Sequence, residues 1–340
     1  MKTSLDIAEV ARSIELYKLG KFLQQNANKG IIDLEFTREP FLRNRKNINN
    51  VVVAFGSYDP LSRAHEALFL KGLNVIREEN NLDELLIVTS TSHFEKQVDL
   101  QKNSAIYDRV HALEGFASCQ GNVSLAFFNN PFFVNLIPSL KEKYGNNTEI
   151  HFLVGIDVPM IYYTFLLPIH IVDPFSYLDN GLNADVILHE LFKENFIVCE
   201  RNVKVDQKDE IQDINTLKET YSILKLYSDK IISINLRADY PGLKIPIQKV
   251  SSTLIRNKRN EGQKVRNLEA VGISDFVDKR SIYLEKNNKY EAFVCARQRF
   301  ADENPNVPIS NYIDELMVYL YELNNDENLR DTEIKKYMNR

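Results

Sequence analysis

The chain has 340 residues, 44% of them apolar, enough for one main α/β domain with extensions or a small second domain. Charged residues make up 26% and the formal net charge is -5, which excludes a global field that draws the protein to DNA or to an acidic membrane surface, though not a local basic patch. Its three cysteines, Cys119, Cys199 and Cys295, lie far apart with no CxxC pair, which argues against a zinc site or disulfide framework and points to a reducing, cytoplasmic setting.

In chain order, DIAEVARSIELYKLGKFLQQ starts the pattern. Its opening, MKTSLDIAEVARS, lacks the apolar run of a signal peptide. Ile7, Val10, Ile14, Tyr17 and, less regularly, Phe22 share one side at helical spacing, so an amphipathic helix docked on another surface is expected. NRKNINN follows as a polar connector. VVVAF (51–55) is a continuous apolar run, expected for a strand buried on both faces of a parallel sheet. A helix over 64–80, a strand at ELLIVTS (84–90) and a helix at SAIYDRVHALEGFAS come next, the last with Ile106, Val110, Leu113 and Phe116 or Ala117 on one stripe. NVSLAFF reads as a strand, FVNLIPSLKEKYG as a helix interrupted near Pro138, and EIHFLVG (149–155) and NFIVCER (195–201) as strands. The most apolar stretch, FLVGIDVPMIYYTFLLPIHIV, carries Asp157, Pro159, Pro168 and His170, and no membrane span is expected there. A helix over 213–228 and a strand at KIISINL (230–236) complete the alternation. The expected fold is α/β, a Rossmann-like doubly wound parallel sheet, with ligands beyond the carboxyl ends of its strands. After residue 287 two helices are expected, YEAFVCARQRF and ISNYIDELMVYLYEL, and then a charged tail, NNDENLRDTEIKKYMNR, expected to fray. The expected divisions are an N-terminal helical extension (1–48), a central domain (49–285) and a C-terminal helical extension (286–340). Amphipathic terminal helices make self-association into a homo-oligomer an open expectation.

Two stretches carry the chemistry. GSYDPLSRAH (56–65) joins the first apolar strand to a helix. Gly56 allows a tight turn and close approach to a ligand, Pro60 stiffens the loop, and Ser62 is a good N-cap. His65 falls in the first turn, where a helix N-terminus attracts phosphate. Arg63 in the same turn is unfavourable by about 0.3–1 kcal/mol unless an anion is present. KVSSTLIRNKR (249–259) repeats the device: Ser251 or Ser252 caps a helix, and Lys249, Arg256, Lys258 and Arg259 crowd its start. Two capped starts with misplaced cations suggest one polyphosphate held between them.

GSYDPLSRAH followed far downstream by VSSTLIR resembles the nucleotidyltransferase superfamily with an (H/T)xxH loop and an ISSTxxR motif. Within it, the chain is most similar to nicotinamide/nicotinate mononucleotide adenylyltransferases. SSTLIRNKRNEGQKVRNLEAVGISDFVDKRSIYL resembles the family's C-terminal pattern, GIDV (155–158) its G-A-D motif, FIVCER its strand ending in arginine, and YDRVHALEGFA the arginine-bearing helix after the second strand. The resemblance spans roughly residues 50 to 285. Ser62 stands where the family has His or Thr, Ala64 where bacterial members have glycine, and the chain has no tryptophan to stack on a pyridine ring; Tyr162, Tyr163 or Phe165 offers another aromatic face.

The resemblance implies adenylyl transfer from ATP to a mononucleotide 5′-phosphate with release of pyrophosphate, a step in NAD biosynthesis. It implies that His65 donates to the α-phosphate, that Ser62 contacts the same phosphates, and that backbone groups of Gly56 and Ser57 line the pocket. It implies that Ser251, Ser252 and Arg256 hold the β- and γ-phosphates. Gly155 and Asp157 would face the acceptor, Asp157 at a ribose hydroxyl or a loop amide; Arg109 and Lys96 are weaker phosphate candidates. Mg²⁺ is expected to arrive with ATP, since no carboxylate cage is evident. No nucleic-acid partner is expected. The other histidines show no ligand spacing. Two alternatives remain open: transfer to another phosphorylated or alcohol acceptor, such as pantetheine phosphate or a phosphocholine-type substrate, and a nucleotide-binding regulator or scaffold whose chemistry was lost at Ser62.

Overall fold

The computed structural model describes residues 6–39, 45–76, 83–91, 106–130, 133–155, 189–205, 208–212, 214–220, 225–236, 243–280, 282 and 288–339. Among them run α1 (Ile7–Asn28), β1 (Leu34–Arg38), β2 (Asn50–Phe55), α2 (Arg63–Ile76), β3 (Asp83–Ser90), α3 (Ile106–Ser118), β4 (Val123–Phe128), α4 (Phe133–Tyr144) and β5 (Glu149–Gly155). They continue with β6 (Asn195–Val205), β7 (Lys208–Gln212), α5 (Ile214–Thr220), β8 (Ile231–Asn235), α6 (Ser252–Asn260), α7 (Ile273–Arg280), α8 (Asn288–Glu303), α9 (Ile313–Asn325) and α10 (Glu327–Met338).

Eight strands form one sheet in the order β1-β4-β3-β2-β5-β6-β7, with β8 also on β6. The pairs from β4 through β3, β2, β5 and β6 to β8 are all parallel. The apolar runs explain this. Val51, Val53, Leu86, Val88, Phe152 and Val154 face one core cluster, and Val52, Ala54, Leu85, Ile87 and Leu153 face the other. Alternate residues of one strand are thus buried on opposite faces, which only helices on both sides can satisfy. Strand β2 pairs with β3 on one side and β5 on the other. That is the point where the strand order reverses, and its carboxyl end is where open α/β sheets place ligands.

Several expectations are corrected. β1 and β7 were not foreseen; both are five-residue antiparallel edges, on β4 and on the end of β6. Helix α4 runs through Pro138 uninterrupted, because Phe133, Val134, Leu136, Leu140 and Tyr144 are buried along it and offset one missing hydrogen bond. In α1, Val10, Ile14 and Tyr17 are buried, but Ile7 and Phe22 are each 51% exposed, because the buried stripe runs on through Gly20 and Leu23. A Cβ at Gly20 would lie 2.4 Å from the Tyr107 ring, so glycine there permits the contact of α1 with α3. The charged tail does not fray: it forms α10, whose Glu333 is buried and accepts from Arg299 Nε at 2.8 Å and the Tyr319 hydroxyl at 2.6 Å. No helix among the described residues is long and apolar enough to cross a membrane.

His151, on β5, gives a pH test of the core. Burial pushes its pKa down, with Lys230 adding to this and Glu149 and Asp83 opposing it; Nε2 lies 3.3 Å from Asn50 Oδ1. The folded state therefore prefers neutral imidazole. As pH falls through the unfolded value of about 6.5, the unfolded chain binds a proton that the folded chain resists, and stability drops until the folded pKa is passed. Denaturation midpoints from pH 5 to 7.5 are expected to fall less steeply with acid in His151→Gln than in the parent. An equal slope in both would show that His151 contributes nothing.

Candidate active site

The loop after β2 is built around its first three residues. Gly56 N–H donates to Val88 O at 3.1 Å, the last rung toward β3. A Cβ on Gly56 would sit 2.9 Å from Tyr58 Cζ, so glycine lets the tyrosine ring fold beneath the loop. Tyr58 takes φ +46, a left-handed value strained for a bulky side chain, and it is buried edge-on to His65 (centroids 5.4 Å apart) and to Phe69 (5.6 Å). Burial pushes the Tyr58 phenol pKa well up, so it stays neutral.

Ser62 caps α2. His65 N–H donates to Ser62 Oγ at 3.3 Å, and Ser62 N–H donates back to His65 Nδ1 at 3.1 Å, with Ser62 Oγ and Nδ1 2.8 Å apart. This is a capping box with histidine in place of glutamate or glutamine. Because Nδ1 accepts a backbone N–H, the neutral ring carries its hydrogen on Nε2, and Nε2 is a donor.

The second motif meets this loop. Ser251 is the N-cap of α6, its Oγ accepting from Leu254 N–H at 3.1 Å. Ser252 Oγ donates to Pro60 O at 2.8 Å, and Arg256 Nη1 donates to Asp59 O. Of the two serines left open by the sequence, Ser251 caps and Ser252 ties the helix to the loop. Between the two starts lies a cavity of about 500 Å³. Among the described residues its walls include Gly56, Ser57, His65, Gly155, Ser251, Ser252 and Arg256, and it opens beyond the carboxyl ends of β2 and β5. Leu68, Leu153 and Leu236 supply an apolar side, and Glu200, held by Ser233 and Asn235 at 3.0 Å each, a carboxylate.

Other expected residues fall elsewhere. Ser62 is fully buried beneath the cavity with its hydroxyl on His65, so it positions the ring rather than touching a ligand. Arg63 needs no ligand anion: Glu66 takes its guanidinium at 2.7 Å. Arg109 is buried behind the loop, donating to Ser57 Oγ at 2.8 Å and Ser57 O at 3.2 Å. The basic cluster of α6 divides: Arg256 lines the cavity, Lys258 reaches Gln263, and Arg259 is buried against Glu269 and Asp278. Lys96, Asp157, Tyr162, Tyr163 and Phe165 lie outside the described residues, as do His93 and His170.

Sequence reasoning passed over Tyr58 and Asp59, although both sit inside GSYDPLSRAH. Asp59 is 6% exposed, with its carboxylate 3.9 Å from both Arg109 Nε and Arg256 Nη1. It is the counter-charge that lets two arginines share one loop, and it stands on the cavity wall beside the second helix start.

No protein-family model matches the chain, and no curated protein matches it by sequence. Solved structures similar to it include the nicotinic acid mononucleotide adenylyltransferase of Plasmodium falciparum. Its complex with APC is 17% identical with a TM-score of 0.46, over 69% of this chain and 97% of that one. Its complex with NaAD is 18% identical with the same TM-score and coverage. Likenesses this distant carry no argument about function, which rests on the geometry above.

Proposed function

We propose that the protein is a nucleotidyltransferase that moves AMP from ATP to the 5′-phosphate of nicotinate or nicotinamide mononucleotide and releases pyrophosphate. The observation that carries this reading is the convergence of the α2 and α6 starts on one cavity at the sheet's reversal point, pinned by Ser252 on Pro60 and Arg256 on Asp59. A helix start offers backbone N–H groups and partial positive charge, and two of them facing one space suit a polyphosphate.

In this mechanism the acceptor phosphate attacks the α-phosphate in line, and no covalent enzyme intermediate forms. The protein positions the reactants and offsets developing charge. His65 Nε2–H donates to an α-phosphate oxygen. Gly56 and Ser57 line the α-phosphate through their backbones. Arg256, the Ser251 hydroxyl and the first-turn amides of α6, that of Ser252 among them, take the β- and γ-phosphates, while the Ser252 hydroxyl stays on Pro60 O. Gly155 bounds the acceptor end, and Asp157, Tyr162, Tyr163 and Lys96 are assigned to the acceptor on resemblance. Mg²⁺ enters with the triphosphate as part of the substrate; among the described residues no group of three His, Cys, Asp or Glu side chains is placed to hold a metal by itself. The test is incubation with MgATP and each mononucleotide in turn, assayed for dinucleotide and pyrophosphate. Formation of both supports the reading, and absence of both with either acceptor overturns it.

Arg256→Ala is expected to weaken MgATP binding by about tenfold or more, the usual cost of a hydrogen bond to a charged group. Calorimetric titration checks this; unchanged affinity would take Arg256 off the triphosphate.

Ser62 favours a second reading. It is fully buried with its hydroxyl on His65 Nδ1, so this motif position offers no group to the reacting phosphates. That suits a nucleotide-binding regulator without transfer activity. Binding of ATP with no turnover on any acceptor supports it.

A further inference from the structure

Helix α6 is fastened to the α2 start at both of its ends. Its first residue, Ser252, holds Pro60, and Arg256, one turn on, holds Asp59. Its last turn carries Arg259, whose Nε and Nη2 form a two-pronged fork on Glu269 at 2.7 and 2.8 Å, while Nη1 reaches Asp278 of α7 at 2.8 Å. Glu269 is fully buried, and its carboxylate also accepts from Ser274 Oγ at 2.6 Å. The backbone of Glu269 forms an antiparallel bridge with Ser62. On either side Arg63 N–H donates to Leu268 O at 2.8 Å and Ala270 N–H to Leu61 O at 3.1 Å. Residues 268–270 are therefore a strut: one side grips the chain that starts α2, and the other receives the far end of α6.

We infer that Arg259 and Glu269 are a positioning pair for the transfer reaction, fixing the tilt of α6 so that Arg256 and His65 hold one triphosphate in register. This rests on the proposed function above. Helix α6 has nine residues and is about 13 Å long, and the ties at Ser252 and Arg256 lie along one loop, so without a hold on its far half the helix can pivot with that loop. Arg256 and Arg259 are one turn apart, and a pivot that releases Arg259 also moves Arg256. Neither Arg259 nor Glu269 lines the cavity, so the pair acts through other residues. An apolar pair at these positions would pack as well; a planar fork adds direction, because it holds only one mutual orientation.

The test uses Glu269→Gln, which keeps shape and removes the charge. Three quantities are read at a temperature well below the melting point: kcat, MgATP affinity and amide hydrogen exchange over residues 57–66. The expected result is a fall in kcat of about tenfold or more at an ATP affinity changed by less than about threefold, since small misplacements of reacting groups cost rate before binding. Exchange at 57–66 should speed up while α8–α10 keep theirs. Should Glu269→Gln fail to fold, the Arg259→Met/Glu269→Leu double variant removes both buried charges together and is expected to fold; the inference then requires the same loss of kcat in it. Parent-like kcat in either variant, or a fall in melting temperature with kcat and exchange unchanged, overturns the inference and leaves a merely structural ion pair. If the parent enzyme turns over neither mononucleotide, the proposed function fails instead, and exchange at 57–66 still decides whether the strut governs the loop.

Discussion

Replacement of His65 by alanine is expected to lower kcat about 10²–10³-fold and to change ATP affinity by less than about threefold. The reasoning lies in the ring's fixed tautomer. Ser62 N–H occupies Nδ1, which places the hydrogen on Nε2, and Tyr58 holds the ring edge-on. A donor so prepared loses little on reaching the transition state, where charge on the α-phosphate oxygens rises. On the proposed function, helix-start amides serve the phosphates in the ground state as well, so binding is expected to change little. His65→Gln keeps an N–H near the same place and suits a capping box, so part of the rate should return. Ser62→Ala should cost less rate than His65→Ala, because the backbone donor to Nδ1 survives, together with about 1 kcal/mol of cap stability. Single-turnover kinetics beside calorimetric titration separate these effects. An alanine variant as fast as the parent would remove His65 from the reaction.

The largest loss of stability is expected at Asp108. This carboxylate is 1% exposed and accepts from Arg297 Nη2 and the Tyr290 hydroxyl at 2.7 Å each, and from Ser13 Oγ and Arg297 Nη1 at 3.1 Å each. It ties α3 to α1 and α8 in one step. Asp108→Asn leaves the buried Arg297 guanidinium without its counter-charge, which typically costs 3–5 kcal/mol, about that range here. Asp108→Leu/Arg297→Met removes both charges and should recover most of the loss, because a well-packed apolar pair avoids desolvation of two ions. Urea midpoints for the single and double variants check both statements. A single variant within about 1 kcal/mol of the parent would show that the pair contributes little.

The parallel strands were legible because burial on both faces leaves no polar alternation to confuse them, as in VVVAF. The helix starts were legible from Ser62 and from the Ser251–Ser252 pair, because capping is a local property, though which of the two serines caps was decided only by the fold. What escaped the reading depends on partners distant in sequence. β7, KDEIQ, holds one apolar residue and exists because β6 runs on to offer an edge. The tail 324–340 reads as charged and solvated, yet Arg299, 34 residues upstream, turns Glu333 into an interior group. Arg63 suggested a bound anion because the sequence does not say that Glu66 shares its turn productively. In the site, His65, Gly56, Ser252 and Arg256 were assembled from motif spacing. Tyr58 and Asp59 were not, because their importance comes from a ring folded beneath the loop and a charge shared with Arg109.

Helix α1 packs between parts of the chain made at very different times. It meets α3 through Arg12–Glu114 and Ser13–Asp108, the last turn of α8 through Tyr17 and Lys21 on Asp302, and the turn after α8 through Lys18 on the Asn304 and Val307 carbonyls. During synthesis its apolar stripe, Val10, Ile14, Leu16 and Leu23, emerges long before the surface that finishes covering it, since Tyr17 meets Asp302 285 residues on and the Tyr337 hydroxyl 320 residues on. At roughly 5–20 residues per second on the ribosome, that stripe waits about 16–64 seconds for Tyr337, an interval in which a nascent chain depends on chaperones to stay out of aggregates.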